Sequence, residues 1–348
     1  MRAFACPRCG QLVFFENVAC LRCRAGLGFD PERREMVLVG DDGVPPAHRC
    51  ANQVLAGCNW LLPRPKPGGR CPSCLLTRAR PSDVDLNGDS GAAQLFMRTE
   101  AAKRRLVFQL GELGLGLVPH SEDPKSGLAF EFLVPKGAKI TIGHADGVIT
   151  IDLSESDDAY RERMRAELDE PYRTMLGHLR HEVGHYYWQV LVADDAGVLD
   201  HFRAVFGDER SDYMEALRRH YEQGPPSGWG SDQVSAYAAA HPWEDWAETW
   251  AHYLHIRDTL QTAAAHGVIV NGPGFPKGPS LATTPTLDAQ ESFDDILGDW
   301  LPLTYALNAI NRSMGKDDLY PFVLSAKVIE KLRFVHDRVR PLYRSCAL

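Results

Sequence analysis

The sequence predicts an α+β protein in two parts: small cysteine-rich modules in front, and a mainly helical domain with a small antiparallel sheet behind. Three observations carry this. Eight of the nine cysteines fall within the first 74 residues. Several long stretches after residue 92 repeat an apolar residue every three or four positions, the period of a helix buried on one face. Between residues 128 and 153 the period shortens in runs rich in β-branched and aromatic residues, which read as strands. Residues 1–80 are then the cysteine-rich region, the polar, turn-rich stretch 81–91 a linker, and 92–348 the main domain.

A chain of 348 residues with 44% hydrophobic content can bury a sizeable core. Its net charge of −8 is unevenly spread. Residues 1–80 hold 12 Lys/Arg against 6 Asp/Glu, a balance of +6, leaving 26 against 40, or −14, for the rest. A basic front and an acidic rear attract each other as readily as the front attracts nucleic acid. No apolar run approaches the roughly 20 residues of a membrane span. The N-terminus, Met1 to Cys6, leads straight into a cysteine motif without a secretory h-region. A cytoplasmic protein is expected, in which thiols stay reduced and paired cysteines hold metal rather than form disulfides.

Cys6-Pro-Arg-Cys9 and Cys20-Leu-Arg-Cys23 are two short knuckles, each offering two sulfurs, at a spacing that suits a tetrahedral zinc ion. Gln11 to Phe15 between them reads as a strand joining the knuckles, as in a rubredoxin-like zinc ribbon. Cys50, Cys58 and Cys71-Pro-Ser-Cys74 make a second, less regular set, with His48 as a possible substitute ligand. Modules of this size fold because metal holds them, and an all-thiolate site leaves no open position for water. Both ions are therefore expected to be structural, and the ribbons to serve docking or recognition. Cys346, alone near the tail, is expected to be a simple thiol.

Residues 92–113 should form an amphipathic helix with Lys103-Arg104-Arg105 on its wet side. Strands follow at 128–134 and 140–142, and Ala145-Asp146-Gly147 turns into a third over 148–153. An edge strand of such a sheet can pair with an extended peptide backbone. After a helix over 154–168, Glu170-Pro171 is the expected start of the helix that carries Arg180-His181-Glu182-Val183-Gly184-His185. Histidines four apart lie on one helical face, so His181 and His185 can bind one ion. Glu182 is turned too far round to be the natural third ligand but can take a proton from a water at the metal. His178 shares the face at ligand spacing, and Gly184 inside a helix points to close approach by another element.

A catalytic zinc takes three protein ligands. The third is sought in the helix beginning near Pro242, whose Trp243, Trp246, Trp250 and Leu254 form an apolar stripe. Glu244 and Glu248, four apart, share a face: one can bind the ion while the other accepts the N–H of a ligating histidine. His252 is the alternative ligand. A helix around Arg210 to Tyr221 and the loop 224–230 lie in the 58 residues between His185 and Glu244, an insertion that either lines the cleft or is scaffold. Helices near 293–314 and 321–339, after a loop over 272–286, read as packing support.

His181-Glu182-x-x-His185 followed by Glu244-x-x-Ala247-Glu248 resembles the gluzincin class of zinc metallopeptidases. The resemblance implies that Glu244 is the third ligand, that Glu248 orients a ligand histidine, and that Tyr237 stabilises the transition state as a tyrosine does in the lethal-factor-like branch. More closely, zinc ribbons ahead of His-Glu-Val-Gly-His-Tyr-Tyr-Trp and His-Pro-Trp-Glu-Asp-Trp-Ala-Glu-Thr-Trp-Ala-His look like the bacterial zinc-binding metallopeptidase family with an N-terminal zinc-ribbon domain. That resemblance implies a zincin-like peptidase fold and names no substrate. With the cysteine sets, one catalytic and two structural zinc ions are expected, and the leading reading is hydrolysis of amide bonds in a peptide or protein, with a small amide, an isopeptide link or a modified side chain as variants. The other class left open is a non-catalytic binding or regulatory protein whose ribbons capture a protein or nucleic acid.

Overall fold

The computed structural model describes residues 1–40, 43–88, 90–135, 140, 142–167, 174–271 and 291–343. The expected helix start at Glu170-Pro171, the loop 272–286 and Cys346 lie outside them. The chain forms two compact units, residues 1–111 with 116–168, and residues 112–115 with 169–348. No described helix is long and apolar enough to cross a membrane.

In the first unit, β1 (Phe4–Ala5) pairs antiparallel with β2 (Leu12–Val13), and β3 (Leu27–Asp30) with β4 (Glu35–Leu38). Short helices α1 (Pro72–Leu75) and α2 (Asp83–Gly88) precede the long α3 (Ser90–Glu112). Phe4, Phe15, Phe29 and Trp60 of the cysteine-rich region meet Phe108 of α3 in one aromatic cluster, with Phe15 and Phe108 centroids 4.9 Å apart. Modules too small for a core of their own thus bury their aromatic rings against a long helix.

That packing overturns the expected wet face of α3. Lys103 and Arg104 are buried, and only Arg105 reaches the surface, where it pairs with Glu16. Lys103 Nζ donates to Glu100 Oε1 at 2.8 Å and to the Thr77 hydroxyl, and Arg104 donates to the Gly57 carbonyl at 3.2 Å. The side of α3 that carries Lys103 and Arg104 is covered, so their charges are compensated inside, while Arg98 and Arg105 stay on the open side.

The sheet is present but mixed. β5 (Thr77–Ala79), β6 (Ala129–Leu133), β7 (Gly143–Ala145) and β8 (Val148–Asp152) lie in the order β5-β6-β8-β7. Only β7 and β8 are antiparallel; β5 with β6 and β6 with β8 are parallel. Asp146 and Gly147, both at positive φ (48° and 77°), close the tight turn that reverses the chain between β7 and β8. The longer connection from β6, with β7 inside it, brings β8 back beside β6 in the same direction. Of the strand expected over 140–142, residue 141 lies outside the described residues, residues 140 and 142 are not in a strand, and β7 begins at Gly143. A 3-10 turn over Leu153–Ser156 then leads into α4 (Asp158–Glu167).

The second unit is helical. Its elements are α5 (Met175–Trp188), continued by a π turn over Gln189–Ala193, then α6 (Ala196–Phe206), α7 (Tyr213–Gln223), α8 (Pro242–Ala265), α9 (Phe293–Ser313) and α10 (Ala326–Tyr343). Thr174 caps α5 by accepting from Gly177 N, and Ser292 and Asp295 form a capping box on α9. As the stripe predicts, Trp246, Trp250 and Leu254 of α8 are fully buried, Trp250 stacking on Tyr187 of α5. At Gly184 α5 and α8 approach closely: a Cβ there would sit 3.1 Å from Ala247 Cα and from the Trp250 ring. The Trp246 indole N–H donates to the Gly184 carbonyl at 2.8 Å across the same crossing.

Two buried histidines in this core give the fold a pH dependence. His252 Nδ1 lies 2.7 Å from the Tyr320 hydroxyl, and His336 stands between the Tyr253 hydroxyl and the Glu291 carbonyl. Burial pulls each imidazole down to about 4. The unfolded chain takes up these protons near pH 6.5 and the folded chain only near 4, so the stability they contribute is complete above about pH 6.5 and is lost as the pH falls toward 4. The expected slope is about 1.4 kcal/mol per pH unit for each histidine within that window. Urea unfolding of His336→Gln beside the parent chain checks this: the variant should lose less stability between pH 7 and 5.

Candidate metal centre

The cysteines converge as their spacing predicts. Cys6, Cys9, Cys20 and Cys23 form one group and Cys50, Cys58, Cys71 and Cys74 another, with the sulfurs of each set within 4.8 Å of one another. Cys6 and Cys23 sulfurs are 3.6 Å apart, Cys9 and Cys20 3.7 Å, and Cys58 and Cys71 3.6 Å. A disulfide would need about 2.05 Å, whereas a tetrahedron with metal–sulfur bonds of about 2.3 Å has edges of about 3.8 Å. Gly10 and Arg24, each just after a knuckle, take φ of 70° and 61°, which lets their N–H groups turn back to the carbonyls of Cys6 and Cys20. His48 is not drawn in: its Nδ1 meets the Leu62 carbonyl at 2.8 Å.

The third group is His181, His185 and Glu244. One turn of α5 carries both imidazoles, and the crossing at Gly184 sets the first turn of α8 against them. His181 Nε2 lies 3.0 Å and His185 Nε2 3.6 Å from Glu244 Oε2. That oxygen is buried and finds no well-aligned hydrogen-bond donor. Two imidazole nitrogens and a carboxylate oxygen turned toward one point suit a zinc ion with a position left open.

Glu248, one turn further along α8, meets the other nitrogen of His181: its Oε1 is 2.7 Å from Nδ1. Its Oε2 accepts from the Ser235 hydroxyl at 2.6 Å, and Ser235 Oγ accepts from Ala238 N. With Nδ1–H donated to Glu248, Nε2 of His181 is the nitrogen left to bind a metal. Glu182 stays outside the three-residue group, its Oε1 3.2 Å from His178 Nε2. His178 thus touches the neighbouring acid, and His252 belongs to the core contact with Tyr320. Tyr237 opens the 3-10 turn Tyr237–Ala240 ahead of α8, its ring 5.8 Å from that of His181.

Burial works against every charge here, and the neighbours outweigh it. Burial lowers the His181 imidazole, but Glu244 and Glu248 at its two nitrogens raise it well above its ordinary range, an attraction for positive charge that a metal at Nε2 would satisfy in place of a proton. His181 and His185 hold Glu244 well below the carboxylate range, and the contact with His178 brings Glu182 down to about 2. Burial, reinforced by Glu244, pushes the Tyr237 and Tyr213 phenols up, so both remain hydrogen-bond donors.

Two contacts escape the sequence. The Tyr213 hydroxyl, on α7, donates to Glu244 Oε1 at 2.5 Å, and Ser235 holds Glu248. Neither belongs to a spaced motif. The only sequence signal is that both lie in the insertion between the helices that carry His181 and Glu244.

The chain belongs to a family of zinc-binding metallopeptidases, which the three converging groups fit. The family model described as "Putative zinc-binding metallo-peptidase" matches residues 92–338, and a zinc-ribbon domain model matches residues 3–85. Among its relatives are the uncharacterized proteins Rv2568c of Mycobacterium tuberculosis and Mb2598c of Mycobacterium bovis. Each is 50% identical over 344 residues, covering 98% of this chain and 97% of the relative. No solved structure matches the chain.

Proposed function

We propose that the protein is a zinc-dependent hydrolase of peptide or amide bonds, of gluzincin type, working on a peptide or protein substrate. One observation carries the reading: His181 Nε2, His185 Nε2 and Glu244 Oε2 converge while Glu248 takes the far nitrogen of His181. His181, His185 and Glu244 would hold the zinc ion, which when bound would supply Lewis acidity toward the scissile carbonyl and a water acidic enough to react near neutral pH.

The chain's own groups do the rest. Glu182, ionised and with Oε1 engaged by His178, accepts the proton of the attacking water and passes it to the leaving amine nitrogen. Tyr237 donates its phenolic hydrogen to the oxyanion that develops on the carbonyl, a contribution of about 3 kcal/mol. Glu248 keeps the His181 ring oriented. Residues 1–80 act as tandem zinc ribbons that dock a partner or the substrate protein, each holding a structural ion through four thiolates.

Metal analysis tests this directly. About three zinc ions per chain are expected, of which His181→Ala should lose one together with all peptidase activity, leaving the thiolate-bound pair. Equal zinc content in the two proteins would end the assignment.

A further inference from the structure

The insertion between the two metal-binding helices reaches the centre at both ends of α7. At one end Tyr213 donates to Glu244 Oε1 at 2.5 Å, and at the other the His220 ring stands 5.8 Å from that of Tyr237. The first contact is built from several parts. His241 caps α8 by accepting the Trp243 N–H on Nδ1, and its Nε2 donates to the Ser211 carbonyl at 3.1 Å. Asp212 next caps α7 by accepting the Glu215 N–H. Tyr213 is the first residue of α7, and its ring packs against His241 and Trp243 at 5.2 and 5.8 Å. The residue that starts α8 therefore also anchors the residue that starts α7, and Glu244 and Tyr213 are brought together from those two starts.

A carboxylate beside a metal can bind through one oxygen or through both. Glu244 presents Oε2 to the two imidazoles and has Oε1 taken by the tyrosine. We propose that Tyr213 is a positioning residue that holds Glu244 as a one-oxygen ligand and so keeps the fourth position of the metal open. This rests on the assignment of Glu244 as a ligand. Without the hydroxyl, Oε1 is released to turn to the metal as an additional donor, and the ligand loses a contact that fixes its orientation. The insertion is then part of the metal site and not scaffold alone.

Tyr213→Phe tests this, since it removes one oxygen and keeps the ring that packs on His241 and Trp243. Zinc affinity is measured by competition with a chromophoric chelator on the full chain with its ribbons loaded, using His181→Ala as the blank. Visible spectra are recorded with cobalt(II) in the same site. Zinc binding should weaken about 10- to 100-fold, and the cobalt bands should lose intensity as the coordination number rises, with the thermal transition of the loaded protein unmoved. Unchanged affinity and spectrum would overturn the proposal, as would weaker affinity with an unchanged spectrum, the mark of a merely loosened fold. Glu244→Ala separates the two layers: if it keeps the metal, the ligand assignment itself fails, whereas its loss of metal beside a wild-type Tyr213→Phe refutes the tyrosine's role alone.

Discussion

Glu182→Gln should retain its full zinc complement and lose turnover of a peptide substrate by about 10²- to 10⁴-fold, the range that a positioned general base contributes. The change is nearly isosteric. Glu182 is not one of the three converging groups, and a glutamine carbonyl can still accept from His178 Nε2 where Glu182 Oε1 now lies at 3.2 Å. What disappears is a carboxylate able to take a proton. Burial raises its pKa while the contact with His178 lowers it, so the carboxylate stands ionised. Stopped-time assays of zinc-loaded parent and variant on a peptide library decide the matter. Equal kcat in the two would remove Glu182 from the reaction.

Cys58→Ser is expected to have the largest effect on folding. All four cysteines of the second set are buried, and Trp60, two residues on, belongs to the aromatic cluster with Phe15 and Phe29. Structural zinc contributes about 10–16 kcal/mol in zinc-finger peptides, more than the whole stability of most domains. One lost thiolate should therefore release one zinc and expose residues 1–80 to proteolysis. Limited trypsin digestion with parallel zinc analysis reads both; a variant as resistant as the parent chain would show that the aromatic cluster, not the metal, holds this region.

The two helices behave alike in one respect: local spacing gives each pair its shared face, while their relation to one another is expected from the family resemblance and not from spacing. His181 with His185, and Glu244 with Glu248, are each four apart, so each pair shares a face in any packing. Which acid would face both imidazoles depended on how α8 crosses α5. The crossing is set by Gly184 against Ala247 and Trp250, a contact between residues more than sixty positions apart. Glycine inside a helix pointed to such an approach but not to the partner. For Lys103 and Arg104 the pattern misled, because charge runs predict a wet face only when nothing covers it. The sheet shows the same limit: strand runs announce their period, while direction and order follow from connections that carry no periodic signal.

By itself the sequence determined the α+β class, two four-cysteine sets, two helices with paired ligand-type residues and the burial of Trp246, Trp250 and Leu254 in the predicted stripe, Trp243 being half-buried. All of these follow from local spacing and the 3.6-residue period, which fix side-chain direction within one element. Only the tertiary structure decided that Glu244 faces both histidines, that Glu248 and Ser235 line up behind His181, and that Tyr213 reaches Glu244 across 31 residues of chain. Those contacts depend on where whole helices start and cross, and that is fixed by caps, a missing Cβ and packed rings acting together rather than by any one stretch of sequence.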